Sequence, residues 1–506
     1  MIMIGRLKMK TKTIFVLLFI LVLAILNISI GLYIARFNSI NFIYFLILEL
    51  INIGIAYRFV EFFLSVIIKN NDLSKVEKLA SYPPVALLYV TYNDAIPGLM
   101  SLLKNQSYKN YDIFILDDST DEEHIRSIDA SGLKILRRNH RNGFKAGSLN
   151  NWLYLYGDIY KYFIIADSDS VFGKDFIENM VKYAEHSSNE NVAIFQSKIL
   201  PWNVKNPFSR AVSAMTPLAM YFGEKLGNEC DTIISWGHNN LHRTEIIRSI
   251  GGFDENFVAE DYATGLKAIK RGYECKIVNV TSFDAVPETI QSYTKRYIRW
   301  AKQTLQLLQI DTTGIPFYTR LHLFMAVYTY AVWIIYFAGT FIAVWGFSSS
   351  LNEFSRFIAG VPQKQSLLLF FILFLYILNY LFLRLPLAMR LGVSLVEYYK
   401  SLFLNISIHG YIMYPLIKAE LETIFGGKIQ FDVTEKTTHN NYEHKMTFVH
   451  IIKEMSVCIL ANILLLVGLT KNPIFLIFNF MWLAPLLMSP IVIYFIQRNA
   501  TPKRAI

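Results

Sequence analysis

Four groups of side chains in this 506-residue sequence have types and spacing suited to chemistry. Asp117-Asp118-Ser119-Thr120-Asp121 directly follows the apolar run Ile113–Leu116, and Asp167-Ser168-Asp169 follows Phe163–Ala166 in the same way. Glu260-Asp261 opens a helical pattern that continues to about Arg271. An Asp-x-Asp at a strand end aims carboxylate oxygens at one point, which suits Mg2+ or Mn2+ bridging two phosphates. One acidic triplet after a strand is more often a turn or a helix cap; three in order within one segment point toward metal and phosphate. The fourth group, Arg296-Tyr297-Ile298-Arg299-Trp300, places two arginines on one helix face. Arginine forks grip phosphate oxygens, and an indole offers a flat face to a sugar ring. The same five residues would also serve as a membrane-proximal aromatic and basic anchor.

Groups so far apart in the chain need a scaffold to bring them together. Between about residues 70 and 315, short apolar runs alternate with helical stretches. Val85–Tyr92, Asp112–Leu116, Tyr162–Ala166, Asn191–Gln196 and Cys275–Val280 read as buried strands. That alternation predicts an α/β domain with a mostly parallel, Rossmann-like sheet, whose ligands bind at the carboxyl ends of the strands.

The flanks have another character. Hydrophobic residues make up 53% of the chain and charged residues only 17%, a balance too apolar for a typical soluble protein. With 38 Phe and 30 Tyr, disorder is excluded as well. The formal net charge of +10 comes without dense basic patches, so no nucleic-acid partner is expected. Cys230, Cys275 and Cys458 form neither a disulfide framework nor a zinc spacing.

Residues 14–34 are an uncharged apolar run behind Arg6, Lys8, Lys10 and Lys12, longer than a cleaved signal peptide needs. Further apolar segments near 39–67, 322–347, 366–388, 449–469 and 474–496 bring the expected spans to six. Residues 392–423 read as an amphipathic interface helix, with a crossing over about 402–417 as the alternative. Six spans place both termini, including Lys503 and Arg504, and the α/β domain on the cytoplasmic side of a cell membrane. The expected divisions are a transmembrane hairpin (1–69), the α/β domain (70–315), transmembrane helices (316–391), an interface helix with a loop (392–446) and C-terminal transmembrane helices (447–506).

The order Asp-Asp-Ser, Lys145-Ala146-Gly147, Asp-x-Asp, Glu-Asp and Arg-Trp, flanked by apolar spans, resembles the processive family 2 glycosyltransferases. Cellulose synthases, mannan and glucan synthase-like enzymes and osmoregulated periplasmic glucan synthases belong to that group. The similarity covers about residues 83–310, and Phe431-Asp432-Val433-Thr434-Glu435-Lys436 beyond it matches the Phe-x-Val-Thr-x-Lys gating loop of cellulose synthases.

The resemblance implies a cytosolic domain of GT-A type, with Mg2+ or Mn2+ as cofactor and a nucleotide sugar, UDP-glucose favoured, as donor. It further implies a growing glycan as acceptor and a surrounding lipid bilayer; accessory subunits stay open. It assigns Thr91, Tyr92, Asp94, Asp117 and Lys145 to the nucleotide, and Asp167 and Asp169 to the metal and diphosphate. Asp261 becomes the general base, Arg299 (with Arg296) a diphosphate ligand, and Trp236, His238, Glu260 and Trp300 the acceptor end. Phe431, Val433, Thr434 and Lys436 would form the gating loop, with Thr434 closing over the nucleotide. Without the resemblance, Lys145 reads as a solvated loop lysine, while Gly143 and Gly147 allow close backbone approach to a ligand.

Two positions depart from the family pattern. Arg296 stands where Gln is expected, and Ala259 where Thr precedes the acidic pair. The added charge either strengthens nucleotide retention or marks a branch with another acceptor or lower processivity. The sequence is expected to carry no cyclic-dinucleotide sensor of its own.

Three functions therefore compete. The favoured one is an inverting synthase that elongates and threads a β-linked polysaccharide. Another is a non-processive transferase acting on a lipid or lipid-linked acceptor. The third, a transporter or channel, has no use for the acidic groups. The sugar is not legible: Asp117–Asp121 has mannan-synthase-like wording, whereas Trp236-Gly237-His238-Asn239 has the glucan wording.

Overall fold

The computed structural model describes residues 11–24, 39–68, 79–332, 334, 379–426, 448–456, 459–460, 463 and 488–496. Residues 79–310 hold an eight-stranded sheet. Its strands are β1 (Val85–Thr91), β2 (Tyr111–Asp117), β3 (Lys134–Arg137), β4 (Tyr162–Asp167), β5 (Val171–Phe172), β6 (Val192–Pro201), β7 (Asn240–Arg243) and β8 (Glu274–Asp284). Their order across the sheet is β3-β2-β1-β4-β7-β6-β8-β5.

Strands β1, β2, β3 and β4 pair in parallel, as do β6 and β8, whereas β7 is antiparallel to both its neighbours and β5 to β8. Six strands thus share one direction and two oppose it. The mostly parallel expectation holds for the direction of the strands, but the sheet is mixed.

The five expected strands are present within a few residues; β1, β2, β4 and the start of β6 are apolar runs buried on both faces, while β8 keeps Asn279 and Thr281 exposed. Alternation along β1 sends Ala86 and Leu88 to one core and Val85, Leu87 and Tyr89 to the other. The first core is closed by helix α2 (Phe144–Tyr156) through Ala146, Leu149, Trp152 and Leu153. The second is closed by helix α3 (Phe176–Glu185) through Phe176, Ile177 and Met180. Strand β7 reads Asn-Leu-His-Arg, without the apolar signature of a central strand. It is buried nonetheless: the His242 ring stacks on Phe163 at 4.7 Å, and Asn240 Nδ2 donates to Ser235 Oγ at 2.9 Å.

Helix α4 (Glu260–Lys270) lies between β7 and β8 and helix α5 (Ile290–Gln306) follows β8, both at positions read as helical. Residues 395–424 form the single helix α6 (Leu395–Ile424), opened by a capping box between Ser394 and Glu397. It packs along α5, where His409 Nε2 and the Tyr297 hydroxyl lie 3.1 Å apart. Leu395, Val396, Phe403, Leu421 and Ile424 stay exposed on its outer side.

Toward the N-terminus, residues 11–24 and helix α1 (Ser39–Ile67) are helical. Among the described residues no helix is long and apolar enough to cross a membrane. The expected spans 14–34, 322–347, 366–388, 449–469 and 474–496 lie wholly or partly outside the described residues.

Candidate active site

Strand direction puts the ends of β1, β2, β4, β6 and β8 on one edge of the sheet. The loop entering β7 reaches the same edge because β7 runs the opposite way. The chain leaves β1 toward β2 on one side while β4 flanks it on the other, the switch point at which such sheets leave a crevice.

At the end of β1, Asp94 is held rather than free. Its carboxylate accepts hydrogen bonds from Thr91 Oγ1 at 2.8 Å, Tyr92 N at 2.9 Å and Ser168 Oγ at 2.6 Å. This ties the β1 turn to the loop after β4. Asp117 is buried at the end of β2, accepting from Ser119 N at 2.9 Å and from Arg137 Nε at 2.6 Å. Asp118 takes a two-pronged grip from Arg138, Nε at 3.0 Å and Nη2 at 2.5 Å. Arg141 lays its guanidinium 3.5 Å from the centre of the Tyr92 ring. Asp121 has the simpler role weighed for it, capping the helix Glu122–Asp129 through Glu123 N and His124 N. The three arginines were missed by sequence reasoning. Their signal was the basic run Arg137-Arg138-Asn139-His140-Arg141, which balances the acidic run at 117–121.

The second half of the site surrounds Asp167. Lys145 comes from the first turn of α2 and donates to Asp167 Oδ1 at 2.6 Å and to the Gly237 carbonyl at 3.0 Å. Gly237 has a φ of +85°, and a Cβ there would lie 2.7 Å from Asp261 Oδ2, so only glycine lets this loop close on the acid. Asp261 Oδ1 accepts from Tyr262 N at 2.8 Å. On the other side, His238 Nδ1 lies 3.8 Å from Asp167 Oδ2 and its Nε2 lies 3.2 Å from Asp284 Oδ2.

Asp284, at the end of β8, also faces Arg296 Nη2 at 3.6 Å and shares a side-chain hydrogen bond with Asp169. Arg296 donates to the Ala285 carbonyl at 3.1 Å and lies 4.6 Å from the Trp300 ring centre. Contacts therefore run from Lys145 through Asp167, His238, Asp284 and Arg296 to Trp300, with Asp261 beside Gly237. His238, expected at the acceptor end, stands between two carboxylates. Arg296, expected on the nucleotide, is engaged by Asp284 and Trp300. Asp284 was not anticipated, since nothing local distinguishes it from any strand-terminal acid. Phe431, Val433, Thr434 and Lys436 lie outside the described residues.

Burial dominates the electrostatics. It pushes the Glu260 carboxyl up to about 8, helped by the adjacent Asp261. Asp261 is raised too, chiefly by burial, with the Tyr262 N–H and Lys145 opposing. Burial would lower the His238 pKa, but Asp167 and Asp284 outweigh it and raise it. Burial would raise that of Asp284, yet His238, the bond to Asp169 and Arg296 hold it far below the usual carboxylate range. Lys145 stays charged for the same reason, its burial outweighed by Asp167 and Glu260. Arg299 is lowered by burial and by Arg296, and feels Asp167, Glu260 and Asp169 as attractive neighbours. Opposite charges are thus packed into one crevice beside a raised carboxylate.

The family model described as "Glycosyl transferase family group 2" matches residues 162–420, just over half of the chain. The chain belongs to that family. Its α/β domain is built on a mixed sheet. A glucans biosynthesis glucosyltransferase H of Bradyrhizobium diazoefficiens is 24% identical over 289 residues, 50% of this chain and 38% of that one. A cellulose synthase 1 catalytic subunit of Komagataeibacter xylinus is 26% identical over 243 residues, 46% of this chain and 32% of that one. The chain thus spans less than half the length of either of these relatives. A mannosyltransferase of Pyrobaculum calidifontis, solved with GDP-Man and Mn2+, aligns over 76% of this chain and 99% of its own with a TM-score of 0.47 at 16% identity.

Proposed function

We propose that this family 2 protein is an inverting hexosyltransferase that elongates a β-linked glycan from a nucleotide sugar, UDP-glucose being the favoured donor. The observation that carries the proposal is the gathering of Asp167, Asp169, Lys145 and Arg299 beside the half-buried Asp261 and the Trp300 indole. Transfer breaks the bond from the anomeric carbon to the diphosphate and forms a bond to the acceptor oxygen. The acceptor hydroxyl proton passes to the Asp261 carboxylate, and the nucleoside diphosphate leaves with the bonding pair. Attack from the face opposite the leaving group inverts the carbon. A carboxylate raised by burial is the better matched to take that proton. Lys145 and Arg299 neutralise charge growing on the leaving diphosphate.

Among the described residues no group of three His, Cys, Asp or Glu side chains is arranged to hold a metal unaided. Asp167 and Asp169 nonetheless fit Mg2+ or Mn2+, which bind through one or two carboxylates and complete their shell with phosphate oxygens and water. Those two residues would hold the ion, whose charge would offset that of the diphosphate.

The apolar segments support a multi-pass cell-membrane protein of six spans with the α/β domain and both termini cytoplasmic, and α6 as its interface helix. In this reading the growing glycan threads between the spans. A second reading, transfer of one or a few sugars to a lipid or lipid-linked acceptor, is favoured by Arg296, which presses on Trp300 where the family carries Gln. Full-length protein in lipid vesicles, given radiolabelled UDP-glucose with Mn2+ or Mg2+, should make long polymer sensitive to β-glucanase. Product limited to one added sugar and soluble in organic solvent would favour the second reading, and label transferred only from GDP-mannose would refute the donor.

A further inference from the structure

The Lys145–Asp167 pair is unusual for where its cation starts. Lys145 is the second residue of α2, at a helix end whose exposed N–H groups carry partial positive charge and disfavour a cation. It is nevertheless drawn inward, with 14% of its side chain exposed, onto Asp167 Oδ1 and the Gly237 carbonyl. Glu260 and Asp261 add to the negative field around it. The oxygen that Lys145 occupies is one of the two with which Asp167 could hold a divalent ion, the other, Oδ2, lying 3.8 Å from His238 Nδ1. Ammonium and dication repel at such range, so both cannot use that oxygen together.

We propose that Lys145 is the resident counter-ion of Asp167. It neutralises the acidic cluster while the nucleotide is absent, and it moves to the donor's diphosphate when the divalent ion takes the carboxylate. This rests on the reading of Asp167 as an ion ligand given above. A lysine suits the task because its ammonium is a point charge on a flexible four-carbon stem, able to turn between two anions without rebuilding a fork of hydrogen bonds. The consequence is coupling. The ion binds weakly alone because it must displace the lysine, and tightly with the diphosphate because the lysine then has another anion to pair with. Linkage makes this reciprocal: the ion tightens the nucleotide by the same factor.

The test is Mn2+ binding to the full chain in detergent, followed by the electron paramagnetic resonance signal of free Mn2+, with and without UDP. Wild type should bind Mn2+ about tenfold or more tightly with UDP than without, within the range usual for coupled sites. Lys145→Met and Lys145→Gln should bind Mn2+ without UDP about tenfold tighter than wild type, with the coupling reduced. Lys145→Arg, which keeps the charge, should stay near wild type. An unchanged UDP-free affinity in both neutral variants overturns the counter-ion role and leaves Asp167 as an ion ligand. Mn2+ binding that survives Asp167→Asn overturns the assignment of the ion to Asp167, and this proposal with it.

Discussion

Replacing Glu260 with Gln should stabilise the protein in a pH-dependent way. The Glu260 carboxyl is buried, only 6% exposed, and its pKa rises from 4.5 to about 8 through burial and the charge of Asp261. Between those values the folded protein keeps a proton that the unfolded chain has released. Stability is therefore fully present below the unfolded pKa and is lost as pH rises, by about 1.4 kcal/mol per pH unit, until it levels off near the folded pKa. Over the whole interval the loss is about 5 kcal/mol, an upper figure because Asp261 shares the repulsion. Gln keeps the shape of the side chain and cannot ionise. Glu260→Gln should match wild type at the acid end and exceed it by about 3 kcal/mol at pH 8. Thermal unfolding of the full chain in detergent, followed across this range, would measure it. Parallel profiles for the two proteins would refute a buried, proton-retaining Glu260.

Asp261→Asn should lower the rate of nucleoside diphosphate release by about 10²- to 10⁴-fold, with little change in nucleotide affinity measured by calorimetry. Because burial raises the Asp261 carboxyl, wild-type activity should be present at neutral pH and fall with acidification at a pH above the ordinary aspartate range. Arg137→Met leaves the buried Asp117 carboxylate without its 2.6 Å partner. It should cost about 2 kcal/mol of stability, reduced from the fully buried case because a third of the arginine is exposed, and adding Asp117→Asn should restore most of it in a double-mutant cycle. Trp300→Ala should raise the acceptor KM about tenfold or more, and Arg296→Gln should shift it by about threefold, the worth of one cation–π contact. Initial rates against acceptor concentration would separate KM from kcat in both.

Four of the five long strands were legible because burial on both faces demands runs of apolar side chains, and β8 because Cys275, Ile277, Val278 and Val280 keep a short apolar run although Asn279 is exposed. Strand β7 was not, since Asn240 and Arg243 are held by side-chain hydrogen bonds and His242 by stacking on Phe163, none of which an apolar count registers. Strand β3 is only partly buried and β5 is two residues long, so neither carries a strong pattern. Asp117, Asp118, Asp167 and Asp169 were legible for the same reason as the long strands, since each ends or follows a strand that delivers its last residues to the ligand edge, whereas Glu260 and Asp261 were read from the helix they open.

What the residues alone determined was thus local: where the strands lie, which carboxylates end them, and that Arg296, Arg299 and Trp300 share one helix. Tertiary structure decided the partners. It set Arg137 on Asp117, Lys145 on Asp167, and Asp284 between His238 and Arg296. These pairs bridge separations of 12 to 46 residues other than through regular secondary structure. Charge has no periodicity along a chain, so only the crossing of loops at the sheet edge selects which cation meets which acid.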